Sequence, residues 1–194
     1  MENEIPRKSQ SVKQSFWELV RFAIIALIIV IPTRLFIAEP FVVSGSSMIP
    51  TFQDANYLIV DKLSYELSEP KRGDVVIFKY PLDQKKFFIK RIVGLPDERI
   101  EVNNGKIKIF TCKMTKTCQS ITLDESYIRE PFTTTQTYTT KTDEYFVMGD
   151  NRNGSSDSRY WGVVKKELLI GRAFLRLLPI NKIGILPGNY KQTK

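Results

Sequence analysis

The side chains best able to do chemistry lie in three separate stretches, and the chain contains no histidine. Without an imidazole, neither a Ser-His-Asp triad nor a Cys-His pair can form, so any base that works near neutral pH must be another group. The segment Glu39 to Thr51 places three serines around Gly45, namely Ser44, Ser46 and Ser47. Gly45 can take backbone angles closed to other residues, and Pro50 fixes its own φ, so this loop can hold a hydroxyl out for attack. An ordinary surface turn has a similar composition, so the segment alone does not identify a nucleophile.

Lys90 is the candidate base. It lies in the run from Phe87 to Val93, whose bulky apolar residues are typical of a strand. Alternate residues of a strand share a face, so Phe88, Lys90 and Ile92 project from one side. Burial there would lower the lysine pKa from about 10.4, and a neutral amine can accept a proton from serine. The alternative is a lysine at a sheet edge or facing solvent, which often guards against strand pairing.

The third stretch, Gly149 to Gly162, is dense in hydrogen-bonding and turn-forming residues. Asp157 and Arg159 are spaced to pair, and Ser155 could orient a lysine amine, which would give a catalytic base the support it needs. A plain loop rich in Asn, Asp and Ser explains much of the same composition.

The N-terminal part of the chain predicts a membrane anchor. Residues 22–32 carry no charge, and a helix from Phe16 to Ala38 would be about 34 Å long, enough to span a bilayer. Four Lys or Arg residues precede the apolar run and only Arg34 follows it closely, which predicts a cytoplasmic N-terminus. A buried core helix and a cleavable signal peptide are the alternatives. The bulky Phe36, where a cut after Ala38 would want a small residue, disfavours the signal peptide.

Beyond the loop, short apolar runs broken by turn residues predict a mostly β fold. The predicted strands are Tyr57–Val60, Asp74–Phe78, Phe87–Val93, Arg99–Val102, Lys106–Phe110, Tyr145–Met148 and Gly171–Leu178. From Thr111 to Thr142 the apolar density falls and threonine becomes frequent, which predicts an insert or flap rather than core.

Charge and cysteine content leave several classes open. The net charge of +8 suits nucleic acid and an anionic membrane surface equally, but no aromatic and basic stacking platform favours nucleic acid. Cys112 and Cys118 have no second pair or histidine to complete a zinc site, so no metal is expected. An outward-facing domain would favour a disulfide between them, with two free thiols as the alternative.

Taken together and in order, four blocks of the sequence resemble the type I signal peptidases (leader peptidases) of bacteria. The blocks are SGSSMIPT from Ser44, KRGDVV with FKYP from Lys71 to Pro81, IKRIVGLP from Ile89, and GDNR with WG from Gly149 to Gly162. The resemblance implies a membrane-bound serine protease with a Ser-Lys dyad, in which Ser47 is the nucleophile and Lys90 the base. It gives Ser155 the role of holding the lysine amine, and Asp157 and Arg159 a supporting one.

The same resemblance implies the rest of the site and the fold. Its substrate-binding residues correspond to Phe41, Val43, Met48, Phe88 and Ile89. Its fold is mostly β, with two antiparallel β-sheets and an inserted cap region after one N-terminal transmembrane helix. At the position of Gly45, some members have a serine whose hydroxyl donates a hydrogen bond to the oxyanion. The resemblance therefore does not identify the second oxyanion donor of this chain.

The sequence therefore predicts a tail at 1–15, an anchor at 16–38, a catalytic β domain at 39–102 and 143–194, and a cap at 103–142. The expected partners are exported preproteins with signal peptides and the lipid bilayer, without a cofactor or nucleic acid. The expected location is the bacterial inner (plasma) membrane, crossed once, with the catalytic domain outside the cytoplasm. A catalytically silent, membrane-anchored scaffold or binding protein is the alternative function.

Overall fold

The computed structural model describes residues 12–32, 37–112, 118–130 and 132–189. The chain divides after Ile37 into two compact units. The first contains helix α1, Val12–Pro32, whose 21 residues span about 31 Å. By length and composition it could cross a membrane.

This helix differs from the predicted one at both ends. It starts at Val12, inside the predicted tail, and Ala38 belongs to the first strand, so a helix reaching Ala38 was wrong. Proline cannot donate a helical hydrogen bond and disfavours the helical conformation of the residue before it, so helices commonly end near a proline such as Pro32. Residues 33–36 lie outside the described part of the chain.

The second unit is built from antiparallel β-strands, which confirms the predicted fold class. Its strands are β1 Ala38–Val42, β2 Tyr57–Asp61, β3 Val75–Tyr80, β4 Asp83–Gly94, β5 Glu98–Asn103, β6 Lys106–Cys112, β7 Cys118–Thr122, β8 Thr135–Thr139, β9 Glu144–Met148, β10 Val164–Lys165, β11 Leu169–Leu178 and β12 Gly184–Ile185. Two short helices, α2 Leu63–Leu67 and α3 Ser158–Trp161, connect strands.

The larger sheet has the order β1-β2-β11-β3-β4-β9-β10, and β12 pairs with β11. Strand β3 lies in its middle, and four of its apolar residues are buried because both faces of the sheet are covered. One apolar cluster includes Val75 and Ile77 and underlies the serine loop, whereas the other includes Val76 and Phe78. Successive side chains of β3 thus point alternately into two hydrophobic clusters, one on each face of the sheet.

The smaller sheet has the order β7-β6-β5-β8. Ile100 and Ile109 point into a third cluster that also contains Phe146 and Met148 of β9, so the two sheets share a core. Strand β5 pairs with β6 from Glu98 onward and with β8 on its other side, so it belongs to the smaller sheet. The other strands of the predicted catalytic domain belong to the larger sheet.

The described residues of the threonine-rich segment form more regular structure than its composition predicted. It contributes β7 and β8, and its Leu123 and Phe132 are buried in the third cluster. The expectation that this segment lies outside the core was therefore wrong. Threonine is β-branched and suits strands, and these strands need few apolar residues because most of their side chains are exposed.

Candidate active site

Ser47 and Lys90, 43 residues apart in the chain, meet in the folded unit. The Lys90 Nζ donates a hydrogen bond to the Ser47 Oγ at 2.8 Å and another to the Ile89 carbonyl at 2.9 Å. Lys90 is only 4% exposed, so the reading of a solvent-facing lysine does not hold. The distance is short enough for a proton to pass directly between the hydroxyl and the amine.

Burial changes the ionisation of this lysine. Removal from water disfavours the ammonium and lowers the pKa of Lys90 to about 8, although Asp157 and Asp150 attract the charged form and act in the opposite direction. The ring of Phe88 lies 5.2 Å from the Nζ and forms part of the apolar surroundings. A useful fraction of the amine is therefore neutral near pH 8, as a general base requires.

Strand β4 fixes the backbone that carries Lys90. It pairs with β3, where Val76 lies opposite Lys90, and with β9, where Met148 lies opposite Arg91. Arg91 is buried and makes a bidentate ion pair with Asp150. Its Nε and one Nη donate to the two carboxylate oxygens at 2.8 Å and 2.6 Å. This ion pair ties the residue after Lys90 to the loop that follows β9.

The serine loop is held from below by apolar anchors. Met48 and Phe52 are completely buried in the apolar cluster under the loop. Ser47, the loop residue next to Met48, stays partly accessible to solvent. Gly45 has φ +92°, a conformation that favours glycine, and its N–H donates to Asp54 Oδ1 at 2.8 Å. The bend expected of this loop is thus present at Gly45.

The loop from Gly149 to Asp157 supports Ser47 from the other side. The Asn151 N–H donates to the Ser47 carbonyl at 3.0 Å, and the Asn151 Nδ2 donates to the Ser46 carbonyl at 3.2 Å. A Cβ on Gly149 would lie 2.5 Å from the Ser47 carbonyl oxygen and 2.2 Å from the Ser155 Oγ. Only glycine fits so close an approach, and the sequence indicated neither this contact nor the role of Asn151.

Asp157 and Arg159 pair as the sequence allowed. The Arg159 Nε and Nη2 lie 2.7 and 2.8 Å from the two Asp157 oxygens, and both side chains are almost fully buried. Asp157 also accepts the Gly149 N–H at 3.0 Å. The pair therefore holds both ends of the supporting loop together.

Ser155 is buried close to this site, but its Oγ makes no hydrogen bond to any described residue. The Lys90 Nζ is instead hydrogen-bonded to Ser47 and to the Ile89 carbonyl. The role of Ser155 in holding the lysine amine stays a prediction.

An apolar groove of about 450 Å³ opens at the dyad. Of the predicted substrate-binding residues, Phe41, Val43, Phe88 and Ile89 line it together with Ser47 and Lys90. Met48 does not line the groove, because its side chain is completely buried in the core below. The sequence reasoning missed other lining residues: Val42, Ser44, Leu58, Ile77, Lys86, Phe87 and Ser156.

A larger cavity of about 760 Å³ shares no residue with the dyad. It is lined mainly by charged residues, including Lys62, Glu66, Lys165 and Glu167. Since the candidate nucleophile and base both open into the smaller groove, that groove is the candidate substrate site.

The two cysteines lie opposite each other at the ends of β6 and β7, in the register Cys112 to Cys118. Cys118 is disulfide-bonded. Cys118 lies on β7 of the smaller sheet, opposite β6, and neither strand carries Ser47 or Lys90.

Sequence similarity relates this chain to a known protein family. A family model described as signal peptidase, peptidase S26, matches residues 16–178. A probable signal peptidase I-2 from Synechocystis sp. is 40% identical over 195 residues, which cover 94% of this chain and 83% of that protein. A signal peptidase I from Leptolyngbya laminosa is 36% identical over 175 residues, which cover 84% of this chain and 79% of that protein.

A crystal structure of a signal peptidase I from Enterococcus faecalis V583 is 28% identical and covers 54% of this chain and 97% of that chain, with a TM-score of 0.45. The family model and the two sequence relatives each cover most of the chain. The protein therefore belongs to the signal peptidase family, peptidase S26.

Proposed function

We propose that the protein is a membrane-bound serine endopeptidase that removes signal peptides from exported preproteins and cuts after a small residue by means of a Ser47-Lys90 dyad. The observation that carries this proposal is the 2.8 Å contact between the Ser47 Oγ and the Nζ of a buried lysine. Family membership supports the substrate class.

The reaction starts with the neutral amine of Lys90, which takes the hydroxyl proton of Ser47 as the Oγ attacks the scissile carbonyl. The resulting ammonium protonates the leaving amine, and the mature protein departs. Lys90 then takes a proton from the water that attacks the acyl-enzyme carbonyl and returns it to the Ser47 Oγ as the ester bond breaks. The same base serves both halves because its amine returns to the neutral form between them.

Substrate binding rests on strand β1. It is an end strand of the larger sheet, paired with β2 among the described residues, and its Phe41 and Val42 line the groove. An extended peptide can add its backbone to such an edge and place alternate side chains in the groove. The apolar walls and the modest size of the groove suit the small side chains beside the cut.

Charge on the tetrahedral intermediate needs hydrogen-bond donors. The Ser47 backbone N–H is one candidate, and the Ser44 side chain is the better second one, because Ser44 lines the groove whereas Ser46 does not. Loss of one such donor typically slows a protease by about 100- to 1,000-fold. Ser44→Ala should then lower kcat, whereas Ser46→Ala should leave it unchanged.

Helix α1 would anchor the enzyme in the bacterial plasma membrane, where its preprotein substrates emerge. The excess of Lys and Arg before the apolar run favours a cytoplasmic N-terminus, with the catalytic unit on the other side. An anchored enzyme meets anchored substrates at a high effective concentration, so weak binding in the groove is enough.

Cleavage of a preprotein by the full chain in detergent tests the proposal. Ser47→Ala and Lys90→Ala should each lower kcat by at least about 10⁴-fold, the scale found when a serine protease loses its nucleophile or base. The matched controls are Ser46→Ala, a serine of the same loop, and Lys85→Ala, an exposed lysine of the same strand β4 that does not line the groove. Full cleavage by either dyad variant would refute the assignment.

A further inference from the structure

The segment between β7 and β8 reaches behind the dyad. The carboxylate of Glu125 accepts hydrogen bonds from both terminal nitrogens of Arg152, at 2.9 Å and 2.5 Å. The Arg152 side chain is fully buried and that of Glu125 is 8% exposed. A buried, bidentate ion pair between the Glu125 carboxylate and the Arg152 guanidinium fixes the guanidinium in one orientation.

Arg152 in turn shapes the loop that supports the nucleophile. Its Nε donates to the Gly149 carbonyl at 3.0 Å, and its own carbonyl accepts from the Arg159 Nη2 at 2.6 Å. Between these two points lies Asn151, whose N–H holds the Ser47 carbonyl. A shift of Arg152 would therefore move the backbone that positions Ser47.

A second contact from the same segment reaches the strand of the base. The ring of Tyr127 lies over the guanidinium of Arg91, 4.2 Å from its central carbon, and Arg91 is the residue after Lys90. The Tyr127 hydroxyl donates to Glu125 Oε1 at 3.0 Å. Residues 125–127 thus contact both buried arginines that flank the dyad.

We propose that Glu125 is a positioning residue for catalysis, which acts through Arg152 to hold the Gly149–Asp157 loop and with it Ser47 at bonding distance from Lys90. The inserted region would then be part of the catalytic apparatus and not only a cover over it. This inference rests on the proposed function of Ser47 and Lys90.

A purely structural ion pair is the competing explanation, and the chain offers a matched control. Glu98 is also a buried carboxylate, 5% exposed, and it binds Arg72 at 2.6 Å. It accepts further hydrogen bonds from the Leu95 N–H and the Thr111 hydroxyl, and none of these partners belongs to the loop behind Ser47. Glu98→Gln should therefore cost stability without disturbing the dyad.

The test compares Glu125→Gln, Glu98→Gln and wild type as full chains in detergent. We expect Glu125→Gln to lower kcat for preprotein cleavage by about ten- to a hundredfold at unchanged KM, since a small misplacement of reacting groups has an effect of this size. The rate of Ser47 acylation by a peptide ester should fall equally. Glu98→Gln should keep both rates.

Amide hydrogen exchange gives a readout that does not depend on the substrate. Exchange in residues 44–52 and 149–157 should rise in Glu125→Gln and not in Glu98→Gln. Equal kinetics and equal exchange in the two variants, or a defect confined to KM, would overturn the inference. A wild type that cleaves no preprotein would refute the proposed function, whereas the exchange comparison would still decide whether Glu125 holds the loop.

If Glu125→Gln does not fold, Tyr127→Phe replaces it. This variant leaves the ring on Arg91 and removes one hydrogen bond to Glu125. We expect acylation of Ser47 to slow several-fold, and an unchanged rate together with unchanged exchange would overturn the inference.

Discussion

Replacing Lys90 by methionine should abolish activity and yet make the protein more stable at neutral pH. Methionine has a similar length and no charge, so it fills the same apolar site without a buried ammonium. The pKa of Lys90 falls from 10.5 to about 8 because the side chain is buried. Each pKa unit is worth about 1.4 kcal/mol, so the folded state loses about 3 kcal/mol when it must hold the charged amine.

The pH dependence separates this cost from other effects of the substitution. Between about pH 8 and 10.5 the unfolded chain binds a proton at residue 90 that the folded protein does not, so the free energy of unfolding of wild type rises with pH in this window. Lys90→Met has no such rise. Lost hydrogen bonds to Ser47 and Ile89 add a nearly constant offset, and other titrating groups cancel in the difference.

Urea unfolding of both proteins in detergent at pH 7, 8, 9 and 10.5 measures this difference. We expect the advantage of Lys90→Met over wild type to shrink by about 3 kcal/mol from pH 7 to pH 10.5. A difference that stays constant over this range would show that Lys90 is not desolvated, and the reasoning about its neutral amine would be refuted.

Two further predictions concern the groups around the dyad. Asp150→Asn leaves the buried Arg91 guanidinium without its ion-pair partner, so the free energy of unfolding should fall by about 3 to 5 kcal/mol in urea titrations; a loss below about 1 kcal/mol would contradict this. Gly149→Ala places a methyl group 2.2 Å from the Ser155 Oγ, so the rate of cleavage should fall at least tenfold. Gly45→Ala meets no atom within 4 Å, so it should only lower the free energy of unfolding, by about 1 to 2 kcal/mol, through backbone strain at a positive φ. Equal activity of the two alanine variants would contradict the second.

The sequence predicted the strands whose apolar residues alternate, and missed those that depend on partners. Strand β4 was recognised from its bulky residues, although it extends beyond Phe87–Val93 to Asp83 and Gly94. Strand β1 was missed because Glu39 and Pro40 interrupt its apolar pattern, and it forms through its register with β2. Strands β7 and β8 have mostly exposed side chains, so their pairing carries no hydrophobic signal.

At the candidate site the sequence identified residue types and the structure supplied distances. The absence of histidine directed attention to Lys90, but only the fold brings its amine to Ser47. The family resemblance implied that Met48 is a groove residue, whereas its side chain lies in the core below the loop. Glu125 gave no local signal, because one acid in a polar segment does not reveal a buried arginine 27 residues away.

The central claim is that Lys90 is a neutral base next to Ser47, and the pH dependence of kcat/KM for preprotein cleavage tests it most directly. Activity requires the unprotonated amine, so kcat/KM should rise with pH through an ionisation near 8 and level off above it. Fitting the rise locates the pKa of the free enzyme's base. A rise governed by an ionisation near 10.5, or a rate independent of pH between 6 and 10, would contradict the account.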